Sequence, residues 1–296
     1  MMFGLTGLAP IDGWALASII SKATGYGAAL LAMGGPMFVL TFQKVPEDVL
    51  RLTRQIAIGA VIIGLAVLTL QFGVRAARIS GMGFAGATDT MMLGLIWDSP
   101  LGTAALWRGV GLTLILAIVL KGAIGLVTSA MGAVLIATSY TFIGHSLGDP
   151  RWLLAGLLIV HLLAAAFWVA ALAPLHRAVG GTDGAIILHR FGIIASLTVG
   201  LLVVVGTTFA WFMTGSVAAL LGTAYGWTLL LKLLLVTGLM GIAALNKWRL
   251  VPALVAGETS AARSLRRSIR AEIFVVVIIL IITATLTVVT TPPVNL

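Results

Sequence analysis

The chain has 296 residues, of which 60% are hydrophobic and 9% charged, against roughly 25% charged in an ordinary soluble domain. So few charges cannot cover a water-soluble globule, which excludes a soluble enzyme and a nucleic-acid module, and the long unbroken apolar runs exclude a β-barrel. The formal net charge of +9 reads as membrane topology, and the absence of cysteine removes disulfides, thiolate metal sites and thiol nucleophiles, leaving His and Met for any soft metal.

Eight apolar stretches are long enough to cross about 30 Å of hydrocarbon at about 1.5 Å per residue. They predict helices at about 14–42, 55–79, 101–120, 122–145, 151–175, 190–214, 225–248 and 269–290. The expected fold is all-α: a polytopic membrane protein, one eight-helix bundle over residues 1–296. The first stretch lacks a basic segment before it and is too long for a cleavable signal, so it reads as a retained span. Connections 1–2, 3–4, 5–6 and 7–8 carry twelve Lys and Arg residues, and the opposite side only Arg75, Arg78 and Arg151. The basic side faces the cytoplasm by the positive-inside rule, which places both termini outside. Trp14, Trp97, Trp107, Trp152, Trp211 and Trp227 then fall near outer helix ends, as an interfacial belt requires.

Two connections are long. The outer one, about 80–100, is apolar enough to lie on the interface, and the inner one, about 249–268, carries arginines suited to anionic lipid head groups. Many of the 35 glycines fall inside spans, where they allow close helix packing.

Charge inside a span is costly, so each case needs a reason. Lys22, Arg108 and Lys232 lie about 10–15 Å below the outer interface on helices 1, 3 and 7. Either they snorkel outward and cap neighbouring carbonyls, or they line a polar cavity, open to the outside, that takes an anionic group. His161, at similar depth on helix 5, and His145, at the outer end of helix 4, are the candidate metal ligands. Their depths differ by about 10–15 Å on ideal helices, which suits two successive stations or two unrelated sites. His176 and His189 bracket an inner connection and read as interface residues. Met82, Met91 and Met92 sit beside Asp89 in the outer connection, where thioethers would meet incoming Cu(I). No nucleotide loop or hydrolytic triad is present, so an ATP-driven pump or an enzyme is not indicated.

The second half carries a further pattern: Gly144-His145-Ser146, His161 with Trp168 and Pro174-Leu175, Arg190-Phe191, Tyr225-Gly226, Lys232, Asn246, Leu250-Val251-Pro252, Leu265-Arg266-Arg267-Ser268-Ile269, Glu272 and Pro292-Pro293. Together these resemble the CopD/PcoD copper resistance protein family, with the motifs clearest over 145–293. Gly192 and Ala170 depart from the residues common there, and neither is a proposed ligand. The resemblance implies an eight-helix protein of the bacterial inner membrane in copper homeostasis. Such a protein would take copper from a periplasmic CopC-type carrier and pass it inward or to a membrane partner, with His145 and His161 handling the metal. A second reading comes from distant haem-associated relatives: haem b with His161 as axial ligand and Lys22, Arg108 or Lys232 at the propionates. An assembly protein without a ligand is the third.

Overall fold

A computed structural model describes residues 6–120, 122–144, 150–181 and 183–292. Eight helices are long and apolar enough to cross a membrane, and no strand runs through the described residues beyond two isolated bridges. The spanning helices are α1 (Gly13–Thr41), α2 (Glu47–Ser80), α5 (Pro100–Ile115), α6 (Ala123–Ser139), α7 (Arg151–Ala178), α8 (Gly184–Thr214), α10 (Ala224–Leu245) and α12 (Ala261–Val288). Short 3-10 turns extend α5 to Val119 and α6 to Phe142. Four short helices, α3 (Phe84–Ala87), α4 (Thr90–Trp97), α9 (Val217–Gly222) and α11 (Val251–Val255), complete the chain.

Several helices outrun their apolar stretches. Helix α2 begins eight residues before the expected 55, with Glu47 and Asp48 in its first turn, where carboxylates favour the helix dipole. Helix α10 runs on through a π-helical turn at Asn246–Leu250 into α11. Helix α12 starts eight residues before the expected 269, with Arg263, Arg266 and Arg267 in helical turns. Hydropathy marks the hydrocarbon crossing, whereas backbone hydrogen bonding continues into the head-group layer.

The outer connection is built rather than loose. Its helices α3 and α4 fold back on α2 and α5. Phe84 meets Trp14 at 5.2 Å between ring centroids, and Trp97 meets Phe72 at 6.1 Å. Side chains cap the entering helices: Asp12 accepts from Ala15 N–H at 2.7 Å and Asp89 from Met92 N–H at 2.8 Å.

Helix α1 is the centre of the bundle, packing on α2, α6, α7 and α12. Its spanning stretch is 61% buried in protein, against 11% for α8 and for α10, so those two face outward over most of their surface. Glycine permits the tightest crossing: a Cβ on Gly34 would collide with the Ala166 carbonyl of α7. One core joins α1, α2, α5, α6 and α7 around Met33, Leu112 and Ile136. A second joins α1, α7, α8, α10 and α12 around Phe38, Trp168, Phe191 and Leu265. The described ends meet: Ala9 N–H donates to Val289 O, and Thr291 N–H to Gly7 O. They therefore share one side, as an even number of crossings demands.

Candidate functional site

Between α7, α10 and α12 a line of polar side chains runs through otherwise apolar packing. Near its outer end stands His161, ten residues into α7 and so about 15 Å along the helix. Its Nδ1 is buried and has no hydrogen-bond partner among the described residues. Lys232, eight residues into α10, lies within electrostatic range of it. No described residue forms an ion pair or hydrogen bond with Lys232. An imidazole with a free ring nitrogen next to an unpaired ammonium in a span is an unusual expense, because each group would be cheaper replaced by an aliphatic side chain.

Helical spacing carries the line inward. His161 and Trp168 are seven residues apart on α7, and Lys232, Leu239 and Asn246 repeat at seven on α10, so each set shares a face. At the inner end Glu272 of α12 is 4% exposed. Asn246 Nδ2 donates to Glu272 Oε1. Trp168 Nε1 is buried within interaction range of the same carboxyl, without the geometry of a formed hydrogen bond. Asn246 Oδ1 is likewise buried and unpartnered. Asn246 opens the π turn, a local widening that often marks a functional position in a helix. Sequence reading singled out Asn246, Trp168 and Glu272 only as parts of a pattern; the seven-residue spacing ties Trp168 to His161 and Asn246 to Lys232, and nothing in the sequence joined Glu272 to them.

The methionines of the connection between α2 and α5 differ in exposure. Met82 is 53% exposed and Met91 74%, while Met92 is half-buried. Asp89 beside them is spent as the helix cap already described. His145 lies outside the described residues. His176 is half-buried near Arg266 and Arg270, and His189 is exposed. Among the described residues no three His, Asp or Glu side chains come together as a metal cage; besides His161, the soft donors inside the spans are the thioethers of Met33, Met37, Met131 and Met240.

The three basic residues expected at one level separate into two places. Lys232 belongs with His161. Lys22 and Arg108 stand in another cluster, around α1, α2, α5 and the start of the 3-10 turn after α6, in range of each other and not of His161. That layout gives no support to a haem held by His161 with all three cations at its propionates.

Fold and polar line together define a polytopic α-helical membrane protein with ionisable groups inside the bundle. Residues 11–150 match the family model described as copper resistance protein D-like, N-terminal domain, and residues 185–286 match copper resistance protein D. The chain belongs to the copper resistance protein D family. No curated protein and no solved structure matches it.

Proposed function

We propose that this copper-resistance membrane protein takes copper from the side where α1 begins and moves it inward along the α7/α10/α12 line, or hands it to a membrane partner. The observation that carries the reading is the buried, unpartnered Nδ1 of His161 in the outer half of the bundle. A free imidazole nitrogen is a good donor for copper in either oxidation state. Met82, Met91, Met92 and His145 make up the capture step, and a periplasmic CopC-type carrier supplies the ion. The bacterial inner membrane is the location, with both termini periplasmic, and the whole chain acts as one membrane unit. Copper here is cargo, which suits a site with few ligands that holds and releases.

Below His161, Trp168, Asn246 and Glu272 provide a polar interruption in the apolar core. The oxygens of Asn246 and Glu272 suit a soft ion poorly and the Trp168 indole offers only an N–H, so the deep end shapes the path rather than storing copper.

The test is copper bound per chain and copper accumulated by cells. His161→Ala is expected to lower both by about tenfold, the weight of one lost ligand of ~1.4 kcal/mol. Unchanged binding and accumulation would remove His161 from the mechanism.

A further inference from the structure

A second polar cluster lies outside the copper path, and its logic does not depend on that reading. Lys22 on α1 stands within electrostatic range of Arg75 and Arg78 on α2 and of Arg108 on α5. The hydrogen-bond partners they have among the described residues are neutral. Lys22 Nζ donates to Thr287 O at 3.1 Å and to its Oγ1 at 3.5 Å. Arg78 Nη1 donates to Ser18 Oγ at 3.3 Å, and Arg108 Nε to Ser139 Oγ at 3.1 Å. The Arg108 guanidinium covers the Tyr140 ring at 3.9 Å from its centroid.

Among the described residues no carboxylate pairs with any of these four charges. The ion pairs among the described residues are Arg54–Glu47 and Arg177–Asp48, at the opposite end of the bundle. Arg108 Nη2 is buried with no partner among the described residues. Beside it a cavity of about 10 Å³, lined by Gln71, Gly25 and Gly64 among others, has room for about one water. The cluster also offends the positive-inside rule on the topology proposed above, since these are cations kept on the outer side. Four cations converging at the edge of a low-dielectric region need a counter-charge, and the described residues supply none.

We propose that Lys22, Arg75, Arg78 and Arg108 form a binding site for a phosphate group, with Lys22 and Arg108 as its floor and the two arginines of α2 as its rim. Arginine forks and an ammonium match a tetrahedral oxyanion, which takes several charge-assisted hydrogen bonds at once. Arg78 lies in the last turn of α2, two residues before its end. Lys22 lies nine residues into α1, so the site descends from the head-group level into the outer hydrocarbon. The phosphate comes from a lipid head group or from free phosphate. A head group would leave its chains beside an apolar groove of about 990 Å³ between α2, α4 and α5, where Leu68 lines both groove and cavity.

The experiment uses the full chain in a phosphate-free non-ionic detergent, dodecyl maltoside. Thermal stability is measured in the detergent alone, with added phosphatidylglycerol, and with added inorganic phosphate. Native mass spectrometry counts anionic lipid retained. The native chain is expected to gain stability from phosphatidylglycerol or from inorganic phosphate, and the arm that gives the gain identifies the source. Lys22→Gln and Arg108→Gln are expected to lose that gain and to bind the anion about tenfold more weakly, the weight of one charge-assisted hydrogen bond. In the detergent alone the same variants are expected to melt no lower than the native chain, because the uncompensated repulsion is relieved. This reversal separates an anion site from a merely structural role. Lys44→Gln, on an exposed inner loop, is the control expected to behave as native. A native chain indifferent to both anions, or variants that keep the full gain, would overturn the site. If both variants fail to fold, the native response alone decides.

Discussion

At the scale of single residues, the informative groups are those whose burial makes no sense as packing. Lys232 beside His161 is one. At an effective dielectric of about 20, unit positive charges repel by about 2 kcal/mol over about 8 Å, and Lys232 stands within electrostatic range of His161. Lys232→Met is therefore expected to tighten copper at His161 by roughly tenfold or more, read as copper affinity of the purified chain. Weaker binding in that variant would make Lys232 a ligand or a positioning group instead. The sequence already exposed His161, Lys22, Arg108 and Lys232 one by one, because an ionisable residue in an apolar run is visible without coordinates. It could not show that Lys232 belongs with His161 and Lys22 with Arg108. That grouping depends on which helices are neighbours, and nothing local in α7 or α10 specifies it. Asp89, beside Met91 and Met92, has a local role: its Oδ1 closes the first turn of α4, as an Asp before a helical run most often does.

At the scale of elements, the crossings were legible and their ends were not. Hydropathy locates the stretch that must avoid water, so α5 and α7 start within one residue of expectation. It is blind to α2 and α12 continuing as helix through charged turns, since Glu47 or Arg263 carries the opposite signal while the backbone ladder is unbroken. The outer connection was recognised as interfacial, but its two short helices rest on Phe84 and Trp97 finding aromatic partners far away in sequence. Glycine content gave close packing in general. Only the fold tells which glycine carries it. Gly34 sits against the Ala166 carbonyl and the Ala170 methyl of α7, at the join between the central helix and the helix that holds His161. Gly34→Leu forces α1 and α7 apart and is expected to cost about 1–3 kcal/mol as overpacking, seen as a lower melting temperature. Gly59→Leu, where a Cβ meets nothing within 4 Å, is expected to leave the melting temperature near native. Equal effects at the two positions would contradict the crossing.

At the scale of the whole molecule, orientation fixes what every site means. The described ends are hydrogen-bonded to each other, so they share a side, and His161, the cationic cluster and the methionine-bearing connection all lie toward that same side. If it faces the periplasm, copper enters at the methionines and the phosphate site belongs to the outer leaflet. If it faces the cytoplasm, both readings invert: His161 becomes a late station and the path carries copper outward. The charge distribution argues for the first arrangement, because the arginine-bearing start of α12 and the Lys44 loop lie at the opposite end. The four cations of the Lys22 cluster argue the other way unless an anion offsets them, which ties the topology to the phosphate site. A chain without cysteine permits a direct measurement. In spheroplasts, a membrane-impermeant maleimide is expected to label Val217→Cys, on α9 and 64% exposed, and to reach Lys44→Cys only after the membrane is opened. The reverse pattern would turn the copper path around. Labelling of both positions from outside would break the eight-span count itself, since an odd number of crossings separates Lys44 from Val217.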